Sequence, residues 1–345
     1  MIRVSFAGCG GMAAHYIGVY RALDDVRLVN CIDPAVEGAS KDFADALGPE
    51  IDAVVISTPN HLHREQAVAA IAAGKHVLLQ KPVAHTLADA EAIEAAAAAR
   101  PDRTIGLYMS YFDQPLIHDL RDMIAGGWLG GVVHCYARLM HQGGMMWSRE
   151  ALAGRRTWRG RVSETGGGCF IQLAVHYLHI FEWATGARVV RATGFTRRLH
   201  CPGLEGEDLA SAVFELDTGA MITIDTAWCA SGEELSVHGT LGRFTYRDNR
   251  LALASIAGPF TGRVARYDGG QEPAFGGPQG VEQQMEVRPP AFDDVTNPLN
   301  QHRQFLEAVR DRRPAPVSIP SGVRDLRLVM AVYESARSGR AVEVR

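Results

Sequence analysis

A chain of 345 residues, 47% hydrophobic and 21% charged, carries enough apolar material for two globular domains. Its formal net charge of −4, with no run of Lys or Arg, excludes the electrostatic footprint of a nucleic-acid or anionic-membrane binder. The six cysteines form no C-x-x-C pair, no apolar stretch is long enough to span a bilayer, and MIRVSFAGCGG runs straight into a strand without a secretory signal; these features point to a soluble, cytoplasmic protein with reduced thiols.

The first third alternates between two periodicities. A strand at Ile2–Ala7 leads to a helix over Ala13–Leu23, a strand at Val26–Ile32 and a helix over Ala39–Leu47. Ala53–Ser57 is apolar throughout, as strands buried on both faces are. A helix over His63–Ala73 stops at Gly74; a strand at His76–Leu79, an Ala-rich helix over Leu87–Arg100 and a strand at Thr104–Met109 follow. This alternation implies a doubly wound parallel sheet.

From about Leu129 the texture changes. Val132–Leu139 reads as a strand, and Gln142–Ser163 as a Gly- and Arg-rich loop. Gly166–Gly168 opens a helix over Cys169–Thr185. Strands follow at Val189–Thr196, Leu209–Leu216, Ala220–Thr226, Leu235–His238, Arg243–Arg247 and Leu251–Ser255, several alternating with period two. Gly269–Pro290 reads as a long loop or arm, and helices near Asn300–Arg310 and Val323–Ser338 close the chain. The expected fold is α/β: a Rossmann dinucleotide-binding domain over residues 1–125, then an α+β domain over 126–345 with a large, open-faced, mainly antiparallel sheet. The closing helices are able to pack back on the first domain.

Gly8-Cys9-Gly10-Gly11-Met12-Ala13 fits G-x-G-x-x-G/A between a strand and a helix. Gly8 permits the tight turn, Gly10 lets the backbone approach a pyrophosphate, and Ala13 allows close packing of helix on strand. Asp33 follows the second strand where an acid holds ribose hydroxyls, and no basic residue occurs between Asp33 and Ser40, which favours NAD over NADP.

Thr58-Pro59-Asn60-His61-Leu62-His63 and Ala73-Gly74-Lys75-His76-Val77-Leu78-Leu79-Gln80-Lys81-Pro82 come next. With the glycine turn they closely resemble the Gfo/Idh/MocA family of dehydrogenases, whose patterns read T-P-N-x-x-H and A-G-K-H-V-x-x-E-K-P. Gly166-Gly167-Gly168 and His176 match the family's second-domain helix. The resemblance implies that the nicotinamide lies at the domain interface, with Lys81 and His176 beside the reacting carbon. It implies cofactor contacts from Gly8, Gly10, Gly11, Met12, Asp33 and Gln80, and a nicotinamide half lined by Thr58, Pro59, Asn60 and His63. Tyr111, Trp158 and Arg159 occupy stretches that border the substrate in this family, and Trp147, Arg155 and Arg156 lie in a loop that could cover it. Family members commonly pair through the open sheet face, which implies a homodimer or homotetramer.

Gln172, His176 and His179 share one helix face at i, i+4 and i+7. By themselves they could be hydrogen-bonded core residues or part of a metal site. No carboxylate or thiolate clearly joins them, so no metal is expected. The chain departs from the family at three positions: Gln80 replaces a Glu, Gln172 an Asp, and His179 a frequent acid. An amide can orient Lys81 or His176 but brings no charge. The expected activity is NAD-dependent interconversion of a secondary alcohol and ketone on a sugar, polyol or glycoside, with Lys81 and His176 catalytic and Gln172 and His179 beside them. Two alternatives stand next to it: an NAD-assisted glycosidase or lyase with transient sugar oxidation, and a catalytically inactive cofactor-binding regulator.

Overall fold

The computed structural model describes residues 1–291, 293–294 and 296–344. They group into two units: residues 1–113, 162–166 and 290–326 form the first, and residues 114–161, 167–289 and those from 327 onward form the second.

In chain order the elements are β1 (Ile2–Ala7), α1 (Gly11–Ala22), β2 (Val26–Ile32), β3 (Ala53–Ile56), α2 (His63–Ala72), β4 (His76–Gln80), α3 (Leu87–Ala98) and β5 (Ile105–Tyr108). Then come α4 (Pro115–Ala125), β6 (Val132–Met140), α5 (Gly143–Leu152), α6 (Val162–Thr165) and α7 (Cys169–Thr185). Six long strands follow: β7 (Val189–Arg197), β8 (Leu209–Leu216), β9 (Met221–Ala227), β10 (Gly232–Gly239), β11 (Gly242–Arg247) and β12 (Arg250–Ser255). Short pieces complete the strands: β13 (Phe260–Thr261), β14 (Arg266–Tyr267), β15 (Gln271–Ala274), β16 (Gly277–Gly280) and β17 (Gln283–Glu286). The chain closes with α8 (Gln301–Asp311), α9 (Ile319–Ser338) and β18 (Val342–Glu343).

The first unit holds a five-stranded parallel sheet in the order β2-β1-β3-β4-β5. All four residues of β3 are buried, as its unbroken apolar sequence implies. Phe6 from β1, Tyr16 and Tyr20 from α1, Leu78 from β4 and Phe305 from α8 share one core. Burying such an apolar side chain contributes about 1.5–3 kcal/mol. His302 of α8 stacks on Tyr16 at 3.9 Å and bonds the Tyr20 hydroxyl through Nδ1 at 3.0 Å. The closing segment is thus part of the first unit's interior.

The second unit holds a nine-stranded sheet in the order β17-β12-β11-β10-β6-β9-β8-β7-β18. Only β6 and β9 pair in parallel. Cys135, Ala137 and Leu139 of β6 are buried, and α7 packs across β6, β8 and β9. The alternate residues form a polar ladder on the other face. The Tyr136 hydroxyl donates to Asp225 at 3.0 Å, and Arg138 pairs with Glu234 at 3.1 Å.

Several elements differ from their sequence expectations. The first crossing between units falls at residues 113/114, not 125. The intervening helix α4 starts on Pro115, buries Leu116, Ile117, Leu120 and Met123, and packs on α7. The helix expected over Ala39–Leu47 shrinks to a 3-10 turn at Phe43–Ala46. Asp42 caps it through Ala44 N–H, and Gly48-Pro49 stops it before an α-helix can form. The expected loop Gln142–Ser163 contains α5, because Gly144 serves packing and not flexibility: a Cβ there would lie 2.4 Å from Trp228 Cβ. Gly269–Pro290 is not a bare arm. It forms a hairpin of β15 and β16 and then adds β17 to the sheet edge.

Candidate active site

The first unit opens a glycine-lined cradle where its strand order reverses, between β1 and β3, the place where open α/β sheets receive ligands. Gly8 leaves β1 with φ +82°, and a Cβ on it would lie 2.6 Å from the carbonyl carbon of Ser57. No other residue passes through that gap. Around Gly10 and Gly11 an added Cβ would meet nothing within 4 Å, so the turn opens on free space. Helix α1 starts there with no side-chain cap and no acid in its first turn. Its positive end and first amides suit an anion. Met12 lies in the first turn of α1, and its side chain is outside the described residues.

Asp33 stands at the end of β2. Cys9 N–H donates to its Oδ2 at 2.9 Å and Ala35 N–H to its Oδ1 at 2.8 Å, so two backbone amides hold the carboxylate in place. An open turn at a helix start and a fixed acid beside it fit a dinucleotide's pyrophosphate and ribose. One expectation is corrected here. Although no base occurs between Asp33 and Ser40, Lys41 folds back and donates to the carbonyls of Asp33 and Val36, at 3.0 and 2.7 Å. A lysine therefore does lie near the ribose position.

The segment after β3 is tied down from inside. The Thr58 hydroxyl donates to Gln66 Oε1 at 2.6 Å, and Pro59 leads into a 3-10 turn over Asn60–Leu62. Asn60 is buried, and its amide donates to the Thr165 carbonyl at 2.9 Å. His63 is 0% exposed. Its Nδ1 lies 3.0 Å from the Pro82 carbonyl and its Nε2 2.9 Å from that of Thr58. Burial pushes its pKa down to about 4, so the neutral ring donates to one carbonyl at a time. The ring has no surface to offer a ligand. It fixes the segment after β3 against the segment after β4. There Gln80 Oε1 accepts from Lys81 N–H at 2.9 Å, and both side chains are half-buried. Tyr111, also half-buried, lies in a 3-10 turn after β5.

In the second unit α7 carries Gln172, His176 and His179, each less than a tenth exposed. The helix starts on a buried carboxylate. Glu207 accepts from Gly168 N–H at 2.8 Å, from Phe170 N–H at 2.9 Å and from the Tyr333 hydroxyl at 2.7 Å. Burial pushes the Glu207 pKa up and these donors oppose it. A carboxylate at the N-terminal end of a helix is favourable. This is the supporting residue that sequence reasoning missed, because Glu207 stands 39 residues beyond Gly168 and no local pattern links them. Trp158 and Arg159 open a 3-10 turn in the same unit. Lys81 and Tyr111 therefore belong to the first unit, and His176, Trp158 and Arg159 to the second. Among the described residues, no group of three or more His, Cys, Asp or Glu side chains is placed to hold a metal ion. No described helix is long and apolar enough to cross a membrane.

A family model described as an oxidoreductase family with an NAD-binding Rossmann fold matches residues 2–106, and one described as the GFO/IDH/MocA C-terminal domain matches residues 117–245. The chain is 31% identical to a 1,5-anhydro-D-fructose reductase of Ensifer adhaerens over 302 residues, covering 86% of this chain and 80% of that protein. It is 24% identical to an NADP-dependent scyllo-inositol 2-dehydrogenase of Bacillus subtilis, over 99% of this chain and 95% of the other. The crystal structure of an oxidoreductase domain protein from Kribbella flavida superposes with a TM-score of 0.82 at 20% identity, over 100% of both chains.

Proposed function

The chain belongs to the GFO/IDH/MocA oxidoreductase family, and from that premise we propose that it uses NAD to interconvert a secondary alcohol and a ketone on a sugar or polyol. The observation that carries this reading is the cradle in which Cys9 and Ala35 amides fix the Asp33 carboxylate beside the open start of α1. The turn at Gly8, Gly10 and Gly11 would hold the pyrophosphate, and Asp33 the ribose hydroxyls. A 2′-phosphate would bring like charge against Asp33, which favours NAD. The Lys41 ammonium, already engaged by two carbonyls, counters that only weakly.

When bound, the nicotinamide accepts or supplies the hydride. Lys81 Nζ and the His176 ring handle the proton: one takes it from the substrate hydroxyl and the other steadies the oxygen. Gln80 and Gln172 orient by hydrogen bonding, without the charge a carboxylate would add. The reductase of Ensifer adhaerens and the inositol dehydrogenase of Bacillus subtilis both act on polyhydroxylated rings, which supports that substrate class here. The test is a screen of polyols, sugars and glycosides with NAD, reading NADH absorbance and product together. NADH formation with at least one polyol or sugar is expected. Release of an aglycone without net NADH would replace this activity with a redox-assisted glycosidase.

Two or four copies are proposed to associate through the open face of the nine-stranded sheet, where Phe195 and Met221 are 67% and 47% exposed among polar ladder residues. Light scattering at micromolar concentration should give a dimer or tetramer; a monomer rejects this association.

A further inference from the structure

In the second unit the Arg159 guanidinium has no carboxylate partner among the described residues. The Arg159 guanidinium carbon lies 4.3 Å from the centre of the Trp158 ring and 4.8 Å from that of Trp147. Among the described residues no carboxylate pairs with it and no acceptor bonds it. Burial lowers its pKa only to about 10, so it stays charged at neutral pH. Stacking on indole faces orients a guanidinium and leaves its edge of N–H donors to be used.

A second observation points the same way. Trp228 packs edge-on against Trp147, with ring centres 5.2 Å apart. It is 1% exposed, and its Nε1–H is buried with no hydrogen-bond partner among the described residues. A buried donor left unmade costs about 1–3 kcal/mol, so such a group calls for an acceptor. The stretch from His141 to Arg161 is also locally positive. It holds five arginines and one glutamate in a chain whose net charge is −4.

We propose that the substrate carries a carboxylate, as a sugar acid or polyol acid does, and that Arg159 receives it in the aromatic setting of Trp147, Trp158 and Trp228. A planar guanidinium fork matches a carboxylate with two parallel hydrogen bonds. One guanidinium balances one carboxylate, whereas a phosphate group has nearly twice that charge. The carboxylate is a spectator, and the chemistry stays at a secondary hydroxyl. This inference rests on the dehydrogenase reading above.

The experiment compares matched substrates on the wild-type protein: D-glucose, D-glucuronate, D-gluconate and D-glucose 6-phosphate, each with NAD. Tryptophan fluorescence, read in parallel, reports binding without turnover. A charge-assisted bidentate contact predicts that kcat/KM for an acid exceeds that for the neutral sugar by about ten- to hundredfold. In Arg159→Met that ratio should fall toward one, chiefly through KM, and Arg159→Lys should restore part of it. NAD binding by each variant checks that the chain is folded. Fluorescence should change saturably with a sugar acid in the wild type and not in Arg159→Met. Equal loss for acid and neutral sugar in Arg159→Met would assign Arg159 to packing and overturn the proposal, as would preference for the neutral sugar or for the phosphate. Turnover of neutral sugars alone sinks only the acid; NAD binding without turnover or sugar-acid binding sinks the dehydrogenase reading as well.

Discussion

The nucleotide cradle of the first unit and the α7 face of the second are built from different materials. The cradle is mostly backbone: a left-handed glycine at Gly8, the open positions Gly10 and Gly11, and amides of Cys9 and Ala35 that hold Asp33. The α7 face is made of side chains, with Gln172 and His176 on a helix that starts on the distant Glu207. A backbone site tolerates changed side chains and fails when a Cβ intrudes. A side-chain site keeps its fold through substitution and loses chemistry.

The sharpest way to break that contrast is Gly8→Ala. The new Cβ would collide with Ser57 backbone in a left-handed conformation, at a cost of about 3 kcal/mol or more. NAD binding should disappear and the melting temperature should fall; unchanged NAD affinity by calorimetry would mean the cradle lies elsewhere. Lys81→Ala and His176→Ala should show the opposite signature. Each should lower turnover about a hundredfold or more with NAD still bound, the usual scale for a lost acid–base group. Near-normal turnover in both would remove these residues from the chemistry. Asp33→Ala is expected to weaken NAD by about tenfold, on the scale of lost hydrogen bonds to a charged group, and to narrow the margin over NADP. If titration of the wild type shows NADP binding more tightly, Lys41 outweighs Asp33.

The smallest effect concerns pH and lies in the first unit alone. Asp113 is buried after β5 and accepts from Gln301 N–H and Nε2–H at 3.1 and 3.0 Å. Burial pushes its carboxyl up to about 7. An unfolded aspartate titrates near ~3.9, so at intermediate pH the folded chain holds a proton that the unfolded chain has released. The resulting stability is complete below about pH 4 and is lost as pH rises through about 7, by about 1 kcal/mol per pH unit midway. Melting curves from pH 5 to 6.5 should move by a few degrees. Asp113→Asn should lose that slope; an identical slope in the variant rules Asp113 out as its source.

What could be seen in the sequence follows the same division. The glycine turn and the Thr58–His63 segment are each written in consecutive residues, and Asp33 directly follows a strand, so short local patterns expose all three. The strands β1–β12 and α7 were legible from their apolar patterns: alternation where one sheet face is buried, and continuous apolar runs where, as in β3 and α7, nearly every residue is buried. The return of Lys41 to Asp33 was not legible, because it depends on a turn. Glu207 beneath α7 was hidden by chain distance, and α5 by glycines, of which Gly144 packs against Trp228. His63 and Asn60 were recognisable as motif residues. That they brace the cradle from inside required knowing which carbonyls face them.

The first unit is assembled from three separate stretches, the last of which carries Phe305 and His302 into its interior. That has a consequence for synthesis. When residue 113 leaves the ribosome, all five strands of the parallel sheet exist, but part of their hydrophobic filling has not been translated. The domain that begins the chain cannot reach its final packing until residue 326, near the end, has emerged. Folding during translation must therefore wait, or hold an incomplete core, while the whole of the second sheet is made. A fragment cut at the first crossing should behave as a loosely packed intermediate and not as an independent domain.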